Sequence, residues 1–286
     1  MSDELHQMQH PLGLKRLGYA GLTLTQPALR WRDGAATPSE ETVAEEVPVA
    51  LVYNGQPHAV MMASPADLED FAVGFSLTEE LVAAPAEVLG IEVQRYSLGI
   101  ELQLQVSAAA AQAIAGKQRS LTGRTGCGIC GSSTLEGTLK TLHRVPSVGQ
   151  FAPEALHRAF AALAARQDLN QLAGTVHAAG LARPDGTLDL VREDVGRHNA
   201  LDKLVGALAR RGAPQVGDGF VMVTSRASFE MVQKATVVGA PLLAAISGPT
   251  GLAVRLAEQA GVTLVGFARG GRHTVYTHPA RLAANA

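Results

Sequence analysis

The chain has 286 residues, 47% of them hydrophobic, and a formal net charge of −2 at neutral pH. Its 24 Lys and Arg residues are scattered, so we do not expect the basic face of a nucleic-acid-binding protein. No apolar run approaches the roughly 20 residues of a membrane-spanning helix, and the N-terminal sequence lacks a secretory signal. Two cysteines are too few for a disulfide framework. We therefore expect a soluble, cytoplasmic α/β protein with no nucleic-acid or membrane partner.

Residues 1–46 mix prolines, glycines and acidic residues, which predicts an irregular N-terminal tail. Residues 47–63 contain two apolar segments on either side of Asn54-Gly55, which is a strong signal for a hairpin turn, so a β-hairpin is predicted here. A helix with one apolar face should follow, with Ser64 as its N-cap.

Two further strands are predicted in this first half, at Val88–Tyr96 and Gly99–Val106. Together with the hairpin and the helix they form a small α+β lobe over residues 47–118.

Residues 119–286 have a different pattern, in which continuous apolar strands alternate with helices. Strands are predicted at 219–225, 241–247 and 262–267, with helices at 229–238 and 251–260 between them. Leu188–Val191 is a further candidate strand, and 199–211 a further helix. This order predicts a parallel sheet covered on both faces.

Ligands of open parallel sheets bind beyond the carboxyl ends of the strands. The three loops that leave these ends, at 224–228, 247–251 and 267–272, are rich in hydroxyls, glycines and arginines. Backbone N–H groups and guanidinium groups of this kind can bind phosphate. One such loop could be an ordinary turn, but three on one edge favour an anionic ligand.

The densest polar run lies between a predicted strand and a predicted helix. It contains Asp194, Arg197, His198, Asn199, Asp202 and Lys203. A functional cluster and an exposed helix face, with His198 paired to Asp202, are equally compatible with this run.

Both cysteines lie in one glycine-rich segment, as Cys127-Gly-Ile-Cys130. One interpretation is half of a four-cysteine zinc site, but the chain has no further cysteines to complete it. A second is a thioredoxin-type dithiol, but that motif lies at the start of a helix, whereas this pair lies among glycines. A third interpretation is a sulfur carrier, whose exposed thiolate, stabilised by Arg124, accepts and donates a persulfide sulfur.

His177 could join Cys127 and Cys130 as a third zinc ligand, in a deaminase-like set. Against this, the acid/base Glu expected two residues after the histidine is replaced by Ala179, and the order of His and Cys is reversed. A core histidine is the simpler explanation.

Several segments together resemble the FdhD family of formate dehydrogenase accessory sulfurtransferases. They are Gly123-Arg-Thr-Gly-Cys-Gly-Ile-Cys-Gly131, Glu193-Asp-Val-Gly-Arg-His-Asn-Ala200, Ser225-Arg-Ala-Ser-Phe-Glu230, Arg272-His-Thr-Val-Tyr276 and Leu68-Glu-Asp-Phe-Ala-Val-Gly-Phe75. The resemblance covers residues 45 to 280, approximately.

The resemblance implies a sulfurtransferase that takes sulfur from a cysteine desulfurase. The acceptor is the molybdenum (or tungsten) bis(molybdopterin guanine dinucleotide) cofactor, which then enters the formate dehydrogenase apoenzyme. It also implies a cytidine deaminase-like α/β fold over residues 119–286, without zinc or another permanently bound metal, and a homodimer. By similarity, Cys127 carries the persulfide and Cys130 assists.

The family's cofactor-binding segment corresponds to Phe267, Ala268, Arg269, Gly270, Gly271 and Arg272. Candidate contacts from the other two loops are Ser225, Ser247, Gly248 and Thr250. A rival interpretation is a chaperone that binds the finished cofactor without sulfur chemistry.

Overall fold

The computed structural model describes residues 19, 21–121, 142–145 and 149–282. The strands are β1 (Thr23–Arg32), β2 (Ala35–Ala44), β3 (Val47–Tyr53), β4 (Gln56–Ala63), β5 (Val88–Tyr96), β6 (Gly99–Val106), β7 (His177–Ala182), β8 (Leu188–Asp194), β9 (Phe220–Val223), β10 (Leu242–Ala245), β11 (Thr263–Arg269) and β12 (Arg272–Val275). The helices are α1 (Leu68–Thr78), α2 (Ala108–Leu121), α3 (Pro153–Ala165), α4 (Asp168–Ala173), α5 (Arg197–Arg210), α6 (Phe229–Val237) and α7 (Gly251–Ala260). Within the described part of the chain, no helix is long and apolar enough to cross a membrane.

The N-terminal segment is not irregular where it is described, so the prediction of a tail over residues 1–46 is wrong there. β1 and β2 form an antiparallel hairpin with ten cross-strand pairs. Its two-residue turn is Asp33-Gly34, both at positive φ (50° and 82°), as in a type I′ turn. Pro27 and Pro38 are tolerated because both strands of an isolated ribbon are edge strands.

The small lobe contains a four-stranded sheet of order β4-β3-β6-β5, which confirms the predicted hairpin and both predicted strands. The hairpin turn has Asn54 and Gly55 at φ 47° and 78°. The following helix begins at Leu68 rather than directly after Ser64, because Asp67 takes a left-handed conformation (φ 49°). Ser64 is therefore not an N-cap, and its polar atoms have other partners.

The second half contains a six-stranded sheet of order β12-β11-β10-β9-β7-β8. Its centre, β9 to β11, is parallel as predicted. β7 and β12 run antiparallel to their neighbours because each belongs to a hairpin, so the sheet is mixed rather than wholly parallel. The predicted mixed α/β class is confirmed.

Two apolar clusters cover the faces of this large sheet. On one face α3 packs through Leu156, Phe160 and Leu163. On the other face α5, α6 and α7 share a single cluster with α1 and the small sheet. The small lobe and the large sheet are thus joined by a common core, and the boundary near residue 118 stays a prediction.

Helices α1 and α5 cross at two glycines. A Cβ at Gly74 would lie 1.7 Å from the carbonyl oxygen of Asp202, and a Cβ at Gly206 would lie 1.8 Å from that of Asp70. Only glycine permits such backbone contact, so this crossing fixes the position of α5, whose first turn belongs to the site described next.

Candidate anion-binding edge of the large sheet

One edge of the large sheet collects the ends of five strands. The parallel strands β9, β10 and β11 all end there. β7 is antiparallel to β9, so its first residue, His177, lies at this same edge. His177 is paired with Asp194, the last residue of β8. Helices α5, α6 and α7 follow these strand ends and begin at this edge.

The three predicted loops meet along this edge. The first contacts the second through a parallel bridge between Ala227 and Pro249, with the N–H of Thr250 donating to the carbonyl of Ala227 (3.1 Å). The second contacts the third where the N–H of Phe267 donates to the carbonyl of Ser247 (3.3 Å). They form one continuous surface.

The third segment is a β-hairpin rather than an open loop. β11 continues to Arg269, and Gly270 and Gly271 make the turn at φ 59° and 73°. Arg269 and Arg272 are opposite each other in register, and both are exposed. The two guanidinium groups therefore extend from either end of a tight two-glycine turn, whose positive φ angles other residues rarely adopt.

Phe267 turns out of the sheet at this point. It takes φ 54° at a register shift between Gly266 and Arg269, and 42% of its surface is exposed. Its ring lies over Gly248, where a Cβ would be 2.7 Å from the ring. Ala268 is fully buried in the core below, so its side chain faces away from this surface.

Two of the predicted hydroxyls have structural partners. The Thr250 hydroxyl caps α7 by accepting the N–H of Ala253 (3.3 Å). The Ser225 hydroxyl donates to the carbonyl of Arg226 (3.0 Å), and the residue is 5% exposed. Whether Ser225, Ser247, Gly248 and Thr250 contact a ligand stays a prediction.

Most of the polar run that enters α5 is consumed by buried structure. Asp194 and Lys203 are fully buried and paired at 2.6 Å. Asp194 also accepts the backbone N–H of Ser64 (3.0 Å) and the side-chain amide of Asn199 (3.0 Å). The Lys203 ammonium donates to the Ser64 carbonyl (3.0 Å), and the Ser64 hydroxyl accepts the N–H of Val195 (3.1 Å).

The next turn of α5 is equally enclosed. Asp202 pairs with the buried Lys234 of α6 (2.7 Å) and accepts the Thr78 hydroxyl (2.6 Å). The predicted alternative, a surface pair of His198 with Asp202, is therefore wrong. Tertiary contact with α6 gives each residue a different partner.

Arg197 and His198 are the members of the run that stay at the edge. Nε2 of His198 donates to Oε2 of Glu230, in the first turn of α6, at 2.9 Å. The Ser228 hydroxyl donates to the same oxygen (3.3 Å). The hydrogen bond from His198 holds the pKa of the Glu230 carboxyl below its ordinary value. Sequence reasoning assigned no role to Glu230, although its place two residues after Ser228 at a helix start was visible.

His177 completes this cluster. Burial lowers the pKa of its imidazole, and the nearby guanidinium of Arg197 lowers it further. We name His177, Arg197, His198 and Glu230 the edge cluster. It lies at the β7 end of the surface, whereas Arg269 and Arg272 lie at the β11–β12 end.

Cys127, Cys130 and Arg124 lie outside the described residues, so of the three candidate zinc ligands only His177 is described. Within the described ranges, no group of three or more His, Cys, Asp or Glu side chains could hold a metal ion. What the described residues provide at this edge is a polar surface with several cationic side chains.

Comparison with known proteins gives a consistent result. Residues 44–283 match the model of the FdhD/NarQ family. Proteins named "Sulfur carrier protein FdhD" from Cupriavidus necator and Bordetella petrii are 54% and 52% identical, over 88% and 87% of this chain and 88% and 89% of their own lengths. A crystal structure described as a formate dehydrogenase accessory protein from Desulfotalea psychrophila shares the fold, with a TM-score of 0.71 and 24% identity over 92% of this chain and all of that one. This chain therefore belongs to the FdhD/NarQ family.

Proposed function

We propose that this protein is a sulfur carrier that serves formate dehydrogenase. It accepts persulfide sulfur from a cysteine desulfurase and transfers it to the molybdenum bis(molybdopterin guanine dinucleotide) cofactor. The observation that carries the proposal is the cationic edge, in a chain whose two cysteines lie together in one glycine-rich segment. The names of its close relatives support the same activity.

The edge suits the acceptor, which is a substrate rather than a resident cofactor. Arg269 and Arg272 present two guanidinium groups to the solvent, where they can pair with the oxygens of a diphosphate. The exposed ring of Phe267, next to them, offers an aromatic face on which a guanine base can stack.

The sulfur chemistry balances with the two thiols of the chain. The Cys127 thiolate attacks the terminal sulfur of the desulfurase persulfide, and the desulfurase thiolate leaves; one S–S bond breaks and one forms. Delivery as sulfide requires two electrons. Cys130 supplies them when its thiolate attacks Cys127–S–SH, forms the Cys127–Cys130 disulfide and releases HS⁻.

The proposal includes a cellular setting and a fold relationship. The protein acts in the cytoplasm as a homodimer, and its second half is related to the cytidine deaminases without their zinc. In this proposal the formate dehydrogenase apoenzyme is the final partner, since it receives the sulfurated cofactor.

The decisive experiment is mass spectrometry after incubation with a cysteine desulfurase and cysteine. We expect a gain of about 32 Da, one sulfur atom, on the peptide with Cys127. Cys127→Ala should abolish it, while Cys130→Ala, the matched control in the same segment, should keep it. A wild-type protein without the gain, together with a Cys127→Ala variant that still activates apo-formate dehydrogenase, would favour the chaperone interpretation. Stoichiometric zinc in elemental analysis would favour the deaminase interpretation.

Binding at the edge has its own test. A guanine nucleotide should raise the thermal unfolding temperature, and the double variant Arg269→Ala/Arg272→Ala should remove this shift. Arg183→Ala is the control, because Arg183 is an exposed arginine (side chain 67% exposed) beside the β7–β8 turn, at the opposite end of the sheet. An unchanged shift in the double variant would place the nucleotide elsewhere.

A further inference from the structure

Arg197 is a cation with no ion-pair partner in the described part of the chain. Its Nε is buried and makes no hydrogen bond among the described residues. The salt bridges of the described chain include Arg192, Arg210 and Arg211 but not Arg197. An unpaired guanidinium nitrogen that water cannot reach is costly, but Arg197 as a whole is only half-buried, so a ligand can still reach the other nitrogens of its guanidinium group.

The nearby carboxylate does not satisfy this charge. Glu230 is within electrostatic range of Arg197, but its Oε2 is occupied by Nε2 of His198 and the Ser228 hydroxyl. The ion pair that Glu230 forms is with His198, at 2.9 Å, and not with Arg197. The positive charge at the first residue of α5 therefore stays available.

The groups around Arg197 come from three directions. His177 belongs to β7, His198 to α5 and Glu230 to α6, and all three contribute to the electrostatics at one place. An imidazole ring carries at least one N–H in either protonation state, so His177 can add a donor to the fork of the guanidinium. Donors that converge from separate elements suit a tetrahedral oxyanion better than a planar carboxylate.

We propose that the edge cluster is a second anion subsite, in which the Arg197 guanidinium binds a phosphoryl group with His177 as an additional donor. It is separate from the Arg269/Arg272 turn, because three strand spacings, roughly 14 Å, lie between β7 and β11. One edge can thus hold two phosphoryl groups at once. This inference goes beyond the proposed function, because it concerns binding and requires no sulfur transfer.

The experiment measures binding of inorganic pyrophosphate to the full chain by isothermal titration calorimetry at low salt. The first arm uses Arg269→Ala/Arg272→Ala, which removes the other end of the edge. We expect this variant to keep one pyrophosphate site. Adding Arg197→Gln should weaken that site by about tenfold to a hundredfold, the value of a charged hydrogen bond.

The matched control is Arg211→Gln in the same background. Arg211 lies at the other end of α5, is 52% exposed and is 4.0 Å from Asp189. Its replacement by Gln changes the net charge of the protein by the same amount as Arg197→Gln. We expect less than a twofold effect. Equal losses for Arg197→Gln and Arg211→Gln would overturn the proposal, as would a background variant that binds no pyrophosphate.

Arg197→Lys protects the test against a folding artefact. It retains the charge but not the planar fork, so its affinity should lie between wild type and Arg197→Gln. Thermal unfolding without ligand should be alike for all three proteins. The persulfide mass gain on Cys127 should persist in Arg197→Gln, so the failure of this inference and that of the proposed function are distinguishable.

Discussion

Two parts of a single polar run, its ends and its middle, have opposite fates. Asp194 and Lys203 form an ion pair in which both side chains are 0% exposed. Ser64 and Asn199 supply their remaining hydrogen bonds, and we call this the closed pair. Arg197 and His198, from the same run, reach the edge of the sheet, where Nε of Arg197 has no hydrogen-bond partner among the residues that the structure describes. The difference is set by which neighbours the fold supplies, and not by residue type.

This contrast teaches how to separate structural from functional polarity. Partners close the first group completely, so a ligand could add nothing there. In the second group the guanidinium of the half-buried Arg197 forms no ion pair within the described ranges, so a ligand can still bind there. The experiments that follow compare the closed pair with the edge, from the largest expected effect to the smallest.

Removing one partner of the closed pair should have the largest effect. Lys203→Met leaves the Asp194 carboxylate buried without its counter-ion, and we expect the free energy of unfolding to fall by about 3–5 kcal/mol. Urea denaturation measures this. Arg211→Met, an exposed arginine 4.0 Å from Asp189, should cost less than about 1 kcal/mol. Similar losses in the two variants would contradict the contrast.

Helix α5, which carries Lys203, is also held in place by its close approach to α1. Gly74→Ala would place a methyl group 1.7 Å from the Asp202 carbonyl, so the helices must separate. We expect a loss of about 1–3 kcal/mol in urea denaturation. Gly116→Ala, in the exposed part of α2 with nothing described within 4 Å, should instead stabilise by about 0.5–1 kcal/mol. A neutral Gly74→Ala would show that the crossing can relax.

A matched pair of serines compares the two regions with one substitution. Ser64→Ala removes the acceptor of the Val195 N–H from a side chain that is fully buried, and should cost about 1–3 kcal/mol. Ser225→Ala removes a bond to the carbonyl of the exposed Arg226, which water can replace, and should cost less than about 1 kcal/mol. Thermal or urea unfolding of the two variants gives the comparison. A larger loss of stability in Ser225→Ala than in Ser64→Ala would mean that the polar groups at the edge are as fully paired as those around Asp194 and Lys203.

Local signals allowed much of this fold to be predicted. β5, β6 and α7 have the predicted bounds, because alternation and helix periodicity are read within a few residues. The Asp33-Gly34 hairpin carried the same kind of signal as Asn54-Gly55, but prolines and acidic residues obscured it.

The role of the polar run could not be predicted in this way. The hydrogen bond between Asp194 and Ser64 joins residues 130 positions apart, and Asp202 finds Lys234 on another helix. Only the tertiary fold reveals which charges are satisfied. Hence the three loops at the strand ends were predictable from topology, whereas the edge cluster around Arg197 was not.

The smallest expected effect is a pH dependence at the edge. Burial and Arg197 lower the folded-state pKa of His177 below the value of about 6.5 in the unfolded chain. The unfolded state therefore binds more protons as the pH falls below 6.5, and this histidine favours unfolding there. His177→Gln should reduce the loss of stability between pH 7.5 and 5.5, measured by urea denaturation at each pH. His273, whose pKa is also lowered by burial and by His157, acts in the same direction, so the loss should shrink rather than vanish. An unchanged pH dependence would mean that the imidazole of His177 is as accessible to protons in the folded protein as in the unfolded chain, and that the edge cluster is more open than its contacts indicate.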